Sequence, residues 1–268
     1  MDFPDLSEFR RPISDLSAIR FVVDILESCA SVEEVRKEFS KLTDEHLQNI
    51  EVITRGQANT AFWFNARKHV ITASTCYRLF CNLTKGTKRR KNHYASIAKL
   101  GGGYINHLPA VRYGRMAESV ARMSFFEQEK DMHANPKMRE EGLVLLKDFE
   151  YLGASVDGIF SCDCHKRTIL EIKSPYSLRN TTVTKDGWKL RYLTPNLQLK
   201  KKSIEFFQIQ QQMMTHECYF AKFVIYTPQE TFVLDIEPAF DLWDQMKLIF
   251  TRYYFDIHLP EYFESRGK

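Results

Sequence analysis

Nowhere does this 268-residue sequence contain a long uninterrupted apolar run. A membrane-spanning helix needs about 20 apolar residues in succession, and the N-terminus, MDFPDLSEFRR, also lacks the apolar segment of a secretory signal. The six cysteines are scattered, unlike the dense framework of a small disulfide-bonded secreted domain. These absences predict a soluble intracellular protein with reduced thiols.

A large excess of charge of one sign is missing as well. The chain has 38 Lys and Arg against 34 Asp and Glu, and the net charge of +4 is too small to indicate a partner by itself. We find no internal repeat and no extended low-complexity segment. A hydrophobic content of 44% with 13% aromatic residues is instead typical of a chain with a packed core.

Apolar spacing and capping patterns predict a mixed α/β fold. The first sixty residues have helical spacing, with Ser31 and Glu34 as a capping box and Thr43 as a second N-cap. Short aliphatic and β-branched runs predict strands at 143–146, 154–160 and 168–172. A helix at 203–216, a hairpin around Pro228 and a final amphipathic helix follow. We therefore predict a mixed central sheet flanked by helices over 48–268, with an N-terminal helical region over 1–47.

The centre of the chain holds two carboxylates beside a lysine. Asp157 stands at the end of one predicted strand and Glu171 lies within the next, so a hairpin can bring both to one edge. Alternation places Glu171 and Lys173 on one face of their strand, with Ile172 on the other. Carboxylate, carbonyl and water oxygens suit Mg²⁺. The pattern predicts metal-assisted phosphodiester hydrolysis, with Lys173 orienting or helping to deprotonate the attacking water.

Ordinary structural explanations fit the same residues. Glu171 and Lys173 can form a plain surface salt bridge on a strand edge. Asp157 followed by Gly158 can be only a turn signal. The spacing alone leaves these interpretations open.

Arg67 and Ser74 form a candidate anion site. Thr72 can cap a helix whose first turn contains Ser74, so that free backbone N–H groups and a hydroxyl face a phosphate. Arg67 can add a forked donor to the same phosphate. By itself, Ser74 is more typical of a simple helix start.

Two predicted helices carry further polar candidates. Glu118 lies one turn after Gly114, and close packing at the glycine can make it a third carboxylate, although a solvated glutamate is the simpler interpretation. Gln208, Gln210, Gln211 and Gln212 crowd one helix, with Gln208 and Gln212 on the same face. Neutral amides can bind a phosphate or a water, or can form only a polar helix face.

Two predicted turns have an unusual composition, one rich in basic residues and the other in cysteine and histidine. The run KGTKRRK at 85–91 predicts a solvated loop that either contacts DNA or acts as a nuclear import signal. Its candidate residues are Lys88, Arg89, Arg90 and Lys91.

Cys162, Cys164 and His165 lack the second ligand pair of a structural zinc site, so zinc is not predicted there.

Taken in order and with their gaps, these patches resemble the YqaJ viral-recombinase family, relatives of lambda exonuclease within the PD-(D/E)XK nuclease superfamily. The similarity extends over residues 48–262 and is strongest to the transposon-like YqaJ domains of animals. It is carried by Thr54-Arg-Gly-Gln57, Arg67…Ser74, Leu199-Lys-Lys201, Gln208-Ile-Gln210 and Leu259-Pro-Glu261. The resemblance implies a PD-(D/E)XK, restriction-endonuclease-like core. Val156 departs from the family by replacing a proline, and Glu205 by replacing an aromatic residue.

The resemblance also implies a role for each candidate side chain. The implied metal ligands are Glu118, Asp157, Glu171 and the carbonyl of Ile172. The implied catalytic residues are Asp157, Glu171, Lys173 and Gln208. The implied contacts to DNA are Arg67 and Ser74 at a 5′-terminal phosphate, with Gln210 in the same motif as Gln208.

Together these features predict a Mg²⁺-dependent deoxyribonuclease that digests double-stranded DNA from 5′ ends, with Mn²⁺ able to replace Mg²⁺. Basic residues at 85–91 and Lys200–Lys202 are candidate contacts to the DNA backbone. Related phage enzymes form rings of three, so the resemblance also implies a homo-trimer. A structure-specific or flap endonuclease of the same fold, and a non-catalytic DNA-binding recombination protein, are the alternatives.

Overall fold

A computed structural model describes residues 19–84 and 108–267. The basic run with Lys88, Arg89, Arg90 and Lys91 lies outside these described residues.

Within the described ranges, helices precede and then surround a strand-rich centre. The α-helices are α1 Val22–Ser28, α2 Val32–Phe39, α3 Asp44–Ile53, α4 Ala61–Ala66, α5 Ala73–Thr84, α6 Pro109–Glu129, α7 Val183–Asp186, α8 Ile204–Thr215, α9 Phe240–Tyr253 and α10 Leu259–Ser265. The strands are β1 Ile71–Thr72, β2 Lys137–Arg139, β3 Val144–Leu146, β4 Phe149–Ala154, β5 Gly158–Ser161, β6 Thr168–Lys173, β7 Ala221–Thr227 and β8 Glu230–Ile236.

The described strands form two mixed sheets. One has the order β1-β4-β3, in which β1 and β4 are parallel. The other has the order β2-β5-β6-β7-β8, in which β6 and β7 are parallel and the remaining pairs are antiparallel. The predicted hairpin around Pro228 is therefore present as β7 and β8.

The five-stranded sheet is covered on both faces because its central strand β6 has apolar side chains on both sides. Leu170 and Ile172 point to α6, where they pack against Ala121 and Phe125 in a small buried cluster. Ile169 points the other way and joins the main core, which also contains Ile209 and Met213 of α8. This double burial holds β6 between two helices.

The single strand predicted at 154–160 is wrong, because the chain crosses there from one sheet to the other. β4 ends at Ala154 and β5 begins at Gly158. Side-chain amides hold the backbone in between: Gln212 donates to the Ser155 carbonyl at 3.0 Å, and Gln57 donates to the Val156 carbonyl at 2.8 Å. Asp157 consequently stands just before a strand and not at the end of one.

The helices near the N-terminus begin where the capping patterns predict. The Ser31 hydroxyl accepts from the Glu34 N–H at 3.2 Å, and the Thr43 hydroxyl accepts from the His46 N–H at 3.3 Å. Phe39 packs on Tyr151 of β4, with ring centroids 6.4 Å apart. Residues of α1 and α2 thus share the main core with the sheets. The division at residue 47 stays a prediction.

No helix in the described ranges is long and apolar enough to cross a membrane. All six cysteines are free thiols.

Two glycines provide a matched pair for a test of packing. A Cβ on Gly142 would lie 2.5 Å from Thr54 Oγ1 and 2.9 Å from the Arg55 nitrogen, because the end of α3 packs directly on this glycine. We expect Gly142→Ala to lower the free energy of unfolding by about 1–3 kcal/mol or more through overpacking. Urea denaturation measures the change.

Gly114 is the control, and it also corrects an expectation. Apart from its chain neighbours and the backbone of its own helix, no described atom lies within 4 Å of the position that a Cβ would take at Gly114. The glycine therefore does not provide close packing for Glu118. We expect Gly114→Ala to raise the free energy of unfolding by about 0.5–1 kcal/mol, because alanine favours a helix interior. Equal effects of the two substitutions would contradict this account of Gly142.

Candidate active site

The β5–β6 hairpin brings Asp157 beside the backbone that follows Glu171. Gly158 pairs with Leu170 across the hairpin, and the Asp157 N–H donates to the Leu170 carbonyl at 3.0 Å. The Asp157 carboxylate then accepts from the Ile172 N–H at 2.7 Å. This short pairing fixes the carboxylate next to β6.

Glu171 and Lys173 lie on the same face of β6, as alternation requires. The Lys173 Nζ donates to Glu171 Oε1 in a close ion pair. The Glu171 side chain is only 2% exposed, whereas that of Lys173 is 33% exposed. A buried carboxylate with an ammonium at its solvent side differs from a plain surface salt bridge.

Helix α8 supplies two amide donors to the same carboxylate. Gln208 Nε2 donates to Glu171 Oε1 at 2.8 Å, and Gln212 Nε2 donates to Glu171 Oε2 at 2.6 Å. The two glutamines are four residues apart and therefore share a helix face. Each oxygen of Glu171 is thus held by α8, which fixes the orientation of the carboxylate.

Gln210 lies on another side of α8 and does not reach this carboxylate. Its amide nitrogen donates to the Glu237 carbonyl at 3.0 Å, and its amide oxygen accepts from the Ala239 N–H at 2.6 Å. The side chain is fully buried. Because both ends of the amide hold the loop before α9, the buried Gln210 is not placed to bind a phosphate. Gln212 takes the place beside Glu171.

Helix α6 carries Glu118, and Arg122 on the same helix links Glu118 to the β5–β6 hairpin. Arg122 was not predicted from the sequence. Arg122 lies one turn after Glu118 and donates to Glu118 Oε1 at 2.8 Å. It also donates to the Asp157 carbonyl at 2.5 Å and pairs with Glu140. Arg122 therefore links the helical carboxylate to the hairpin. The four-residue spacing from Glu118 was the available signal.

Arg67 and Ser74 meet at the start of α5. Arg67 Nη2 donates to Ser74 Oγ at 2.9 Å, and the guanidinium lies 3.9 Å from the centre of the Trp63 ring. Burial lowers the pKa of Arg67 to about 10, so that the guanidinium remains charged at neutral pH. Ser74 is exposed. A fixed cation beside an exposed hydroxyl at a helix start is suited to an anion.

Arg67 and Ser74 together form a candidate anion pocket, and a chain of contacts connects this pocket to the carboxylates. Trp63, on which Arg67 stacks, donates from Nε1 to the Ser155 hydroxyl at 3.0 Å. The Ser155 carbonyl accepts from Gln212, which also holds Glu171. Ser155 is two residues before Asp157. The backbone segment that positions Asp157 is therefore shared by both halves of the site.

The sequence of residues 62–218 matches the model of the YqaJ-like viral recombinase domain. The chain belongs to this family. The matched segment spans more than half of the chain and contains every described residue of the two halves of the site. No curated protein gives a significant match to the sequence.

Solved structures share the fold of the YqaJ-like domain. An alkaline exonuclease, LHK-Exo from Laribacter hongkongensis, is 23% identical with a TM-score of 0.57, over 78% of this chain and 96% of that chain. The shutoff and exonuclease protein of Kaposi's sarcoma-associated herpesvirus is 10% identical with a TM-score of 0.55, over 91% of this chain and 80% of that chain. The mixed α/β, PD-(D/E)XK-like core predicted from the sequence is confirmed.

Burial and neighbouring charges shift the pKa values of the site residues in the YqaJ-like domain. Burial, with the nearby charge of Glu171, raises the pKa of Asp157 well above its ordinary value. Burial also raises the pKa of Glu118, and Glu140 and Glu171 add to it. Burial alone lowers the pKa of Lys173, but Glu171 and Asp157 outweigh it, so that its pKa is raised overall. Lys173 is therefore an ammonium at neutral pH.

This donor set fits a divalent cation with hard oxygen ligands. Three carboxylates lie within electrostatic reach of one another, and two of them carry a raised pKa. Hard oxygen donors of this kind suit Mg²⁺ or Mn²⁺. Burial is the main cause of the raised pKa values of Asp157 and Glu118, and repulsion between the carboxylates adds to it. A cation between Asp157, Glu171 and Glu118 would favour the charged form of each carboxylate.

The raised pKa of Asp157 predicts a pH-dependent stability. A carboxyl group with a higher pKa in the folded chain binds more protons when folded, so the free energy of unfolding falls as pH rises from about 3.9 through the raised value. Asp157→Asn removes this charge and keeps an acceptor for the Ile172 N–H. Without Mg²⁺ or Mn²⁺, we expect the variant to have the higher Tm at pH 7, with a difference that shrinks toward pH 4.

The control for this measurement is Asp256→Asn, because Asp256 is exposed. Its Tm should follow that of the unaltered protein at every pH. A lower Tm for Asp157→Asn at pH 7, or a difference that does not change with pH, would contradict the account of Asp157.

Proposed function

We propose that this protein is a magnesium-dependent deoxyribonuclease that hydrolyses double-stranded DNA from free 5′ ends. The observation that carries the proposal is the meeting of Asp157, Glu171 and Lys173 on one hairpin, with Glu118 linked to it. Family membership supports a nuclease of recombination. Two of the similar structures are of proteins described as exonucleases, and another is of a SOX–DNA complex.

The residues that would hold the metal are Asp157, Glu171 and Glu118, with the carbonyl of Ile172. A bound Mg²⁺, or Mn²⁺ in its place, supplies Lewis-acid chemistry that makes water more acidic and offsets charge on the phosphate. Gln208 and Gln212 keep the Glu171 carboxylate in one orientation. Because an amide nitrogen carries two hydrogens, Gln208 has a second donor for an oxygen of the scissile phosphate.

Lys173 orients the attacking water and does not act as its base. Its pKa is raised by Glu171 and Asp157, so the group donates hydrogen bonds at neutral pH. A donor beside the carboxylates can hold a water oxygen for in-line attack and stabilise charge on the phosphate. Of the two roles that the sequence leaves open for Lys173, its raised pKa favours orienting the water over helping to deprotonate it.

The end preference depends on the anion pocket. Arg67 and Ser74 bind the 5′-terminal phosphate, and exposed Lys200–Lys202 just before α8 contact the DNA backbone. Lys88, Arg89, Arg90 and Lys91 are proposed backbone contacts on their charge alone. We also propose that the protein forms the homo-trimer that its resemblance to the family implies. Sedimentation of the protein on duplex DNA measures this oligomeric state.

The decisive experiment compares two forms of DNA in one reaction. End-labelled linear duplex and a covalently closed plasmid circle are incubated with the protein and Mg²⁺, with 5′-phosphate or 5′-hydroxyl ends. We expect the linear duplex to be digested, the phosphorylated ends to be preferred, and the circle to remain intact. A brief addition of chelator should stop digestion.

The other outcomes have distinct meanings. Cleavage of the closed circle would overturn end-dependence and favour an endonuclease of the same fold. DNA binding without hydrolysis in either Mg²⁺ or Mn²⁺ would overturn the enzymatic proposal and favour a non-catalytic recombination protein.

A further inference from the structure

The turn between β5 and β6 meets the end of α6 in a cluster of sulfur and nitrogen atoms. Cys162, Cys164 and His165 lie in the turn, and His133 follows a short 3₁₀ turn after α6. One ligand atom from each residue lies within 4.8 Å of all the others. The cluster is at the other end of the hairpin from Asp157 and Glu171.

The six distances between these four atoms describe a compact tetrahedron. The two sulfurs are 3.4 Å apart and the two Nδ1 atoms are 3.1 Å apart. From His133 Nδ1 the sulfurs of Cys162 and Cys164 are at 3.4 and 3.5 Å, and from His165 Nδ1 they are at 3.8 and 3.1 Å. Zinc with Zn–S of about 2.3 Å and Zn–N of about 2.0–2.1 Å separates tetrahedral ligands by roughly 3.3–3.8 Å.

We propose that Cys162, Cys164, His133 and His165 bind one structural Zn²⁺ ion. The turn alone lacked a second ligand pair, which argued against zinc, and His133 from a distant part of the chain changes that conclusion. Four protein ligands leave no open position, so the site is structural and not catalytic. Two thiolates and two imidazoles in a tetrahedron are typical of zinc.

The surroundings of the cluster are those of a supported metal site. The far nitrogen of His133, Nε2, lies 3.4 Å from Glu129 Oε2 on α6. Such a carboxylate orients a metal-binding imidazole. The Ala134 N–H points to Cys164 Sγ at 3.5 Å. A sulfur separation of 3.4 Å is far longer than the disulfide bond of about 2.05 Å, so the cysteines are not a disulfide.

The ion would join the two elements that carry the candidate active site. α6 holds Glu118, and the β5–β6 hairpin holds Asp157 and Glu171. A zinc ion at the far end of both elements fixes their relative position without touching the substrate. The proposal does not depend on the nuclease activity, because it rests on a different set of atoms.

The test measures the metal directly. We expect protein purified without a histidine tag to contain roughly one zinc per chain by elemental analysis. Replacement of zinc by Co²⁺ should produce the visible absorption of a tetrahedral thiolate site. Cys164→Ser and His133→Ala should lose the metal and lower the Tm, whereas Cys81→Ser, a cysteine outside the cluster, should retain it.

The outcomes separate this proposal from the proposed function. Protein from zinc-supplied cells that contains no zinc and takes up no tetrahedral Co²⁺ overturns the site, even if it digests DNA. Full zinc content in folded Cys164→Ser would also overturn it. Asp157→Ala should keep its zinc, so an inactive protein with one zinc per chain refutes only the nuclease. The measurements on unaltered protein remain valid if a variant fails to fold.

Discussion

Lys173→Ala should lower the rate of DNA hydrolysis by about 10²–10³-fold, the range for loss of one preorganised donor to charge that develops in the transition state. The ammonium pairs with Glu171 and is the group placed to hold the attacking water. Asp157→Ala should lower the rate at least as much, because it removes a carboxylate that would bind the metal. Single-turnover digestion of end-labelled duplex measures the rate, and filter binding in Ca²⁺ measures the affinity, which should be largely unchanged.

The matched control is Lys37→Ala. Lys37 is an exposed lysine on α2, and its loss should leave both the rate and the affinity unchanged. Turnover by Lys173→Ala within about tenfold of the unaltered protein, at equal affinity, would remove Lys173 from the proposed mechanism.

Arg67→Ala should abolish the preference for 5′-phosphorylated ends. A hydrogen bond to a charged group contributes about 1.5–3 kcal/mol, which corresponds to roughly 10- to 150-fold in rate for the phosphorylated substrate. Digestion of 5′-hydroxyl duplex should change much less, because that substrate lacks the phosphate. The ratio of the two rates, measured for each protein at the same salt concentration, is the result that matters.

The neighbouring Lys68 provides the control for Arg67. Lys68 is exposed, and Lys68→Ala should keep the ratio of the unaltered protein. A uniform loss on both substrates in Arg67→Ala would mean that the guanidinium serves only to hold Trp63 and Ser74. In that case, the end-recognition role of the pocket would be wrong.

The hairpin of the candidate site was predictable because its rules are local. A period of two along β6 requires Glu171 and Lys173 to share a face, and a short turn requires β5 and β6 to pair. A spacing of four residues likewise puts Gln208 and Gln212 on one face of helix α8, and both amides contact Glu171 in the structure. Gln210, which only the family motif adds, lies between them on another side of the helix and contacts Glu237 and Ala239.

Contacts between distant elements escaped sequence reasoning. Arg122 could be read as a partner of Glu118, but nothing local indicates its bond to the Asp157 carbonyl. The break between β4 and β5 depends on Gln57 and Gln212, which come from other elements. His133 is 29 residues from Cys162 and has no local signature of a ligand.

The sequence alone established that this protein has a mixed α/β, nuclease-like fold with an acidic hairpin. Strand and helix periodicity depend on neighbouring residues only, and the order of the motifs can be seen in the sequence directly. The tertiary structure alone decided which amides hold Glu171, how Glu118 is joined to Asp157, and that His133 lies beside Cys162, Cys164 and His165. Those contacts follow from the packing of α6 and α8 on opposite faces of one sheet. Side chains far apart in the chain become neighbours only when that apolar packing has formed.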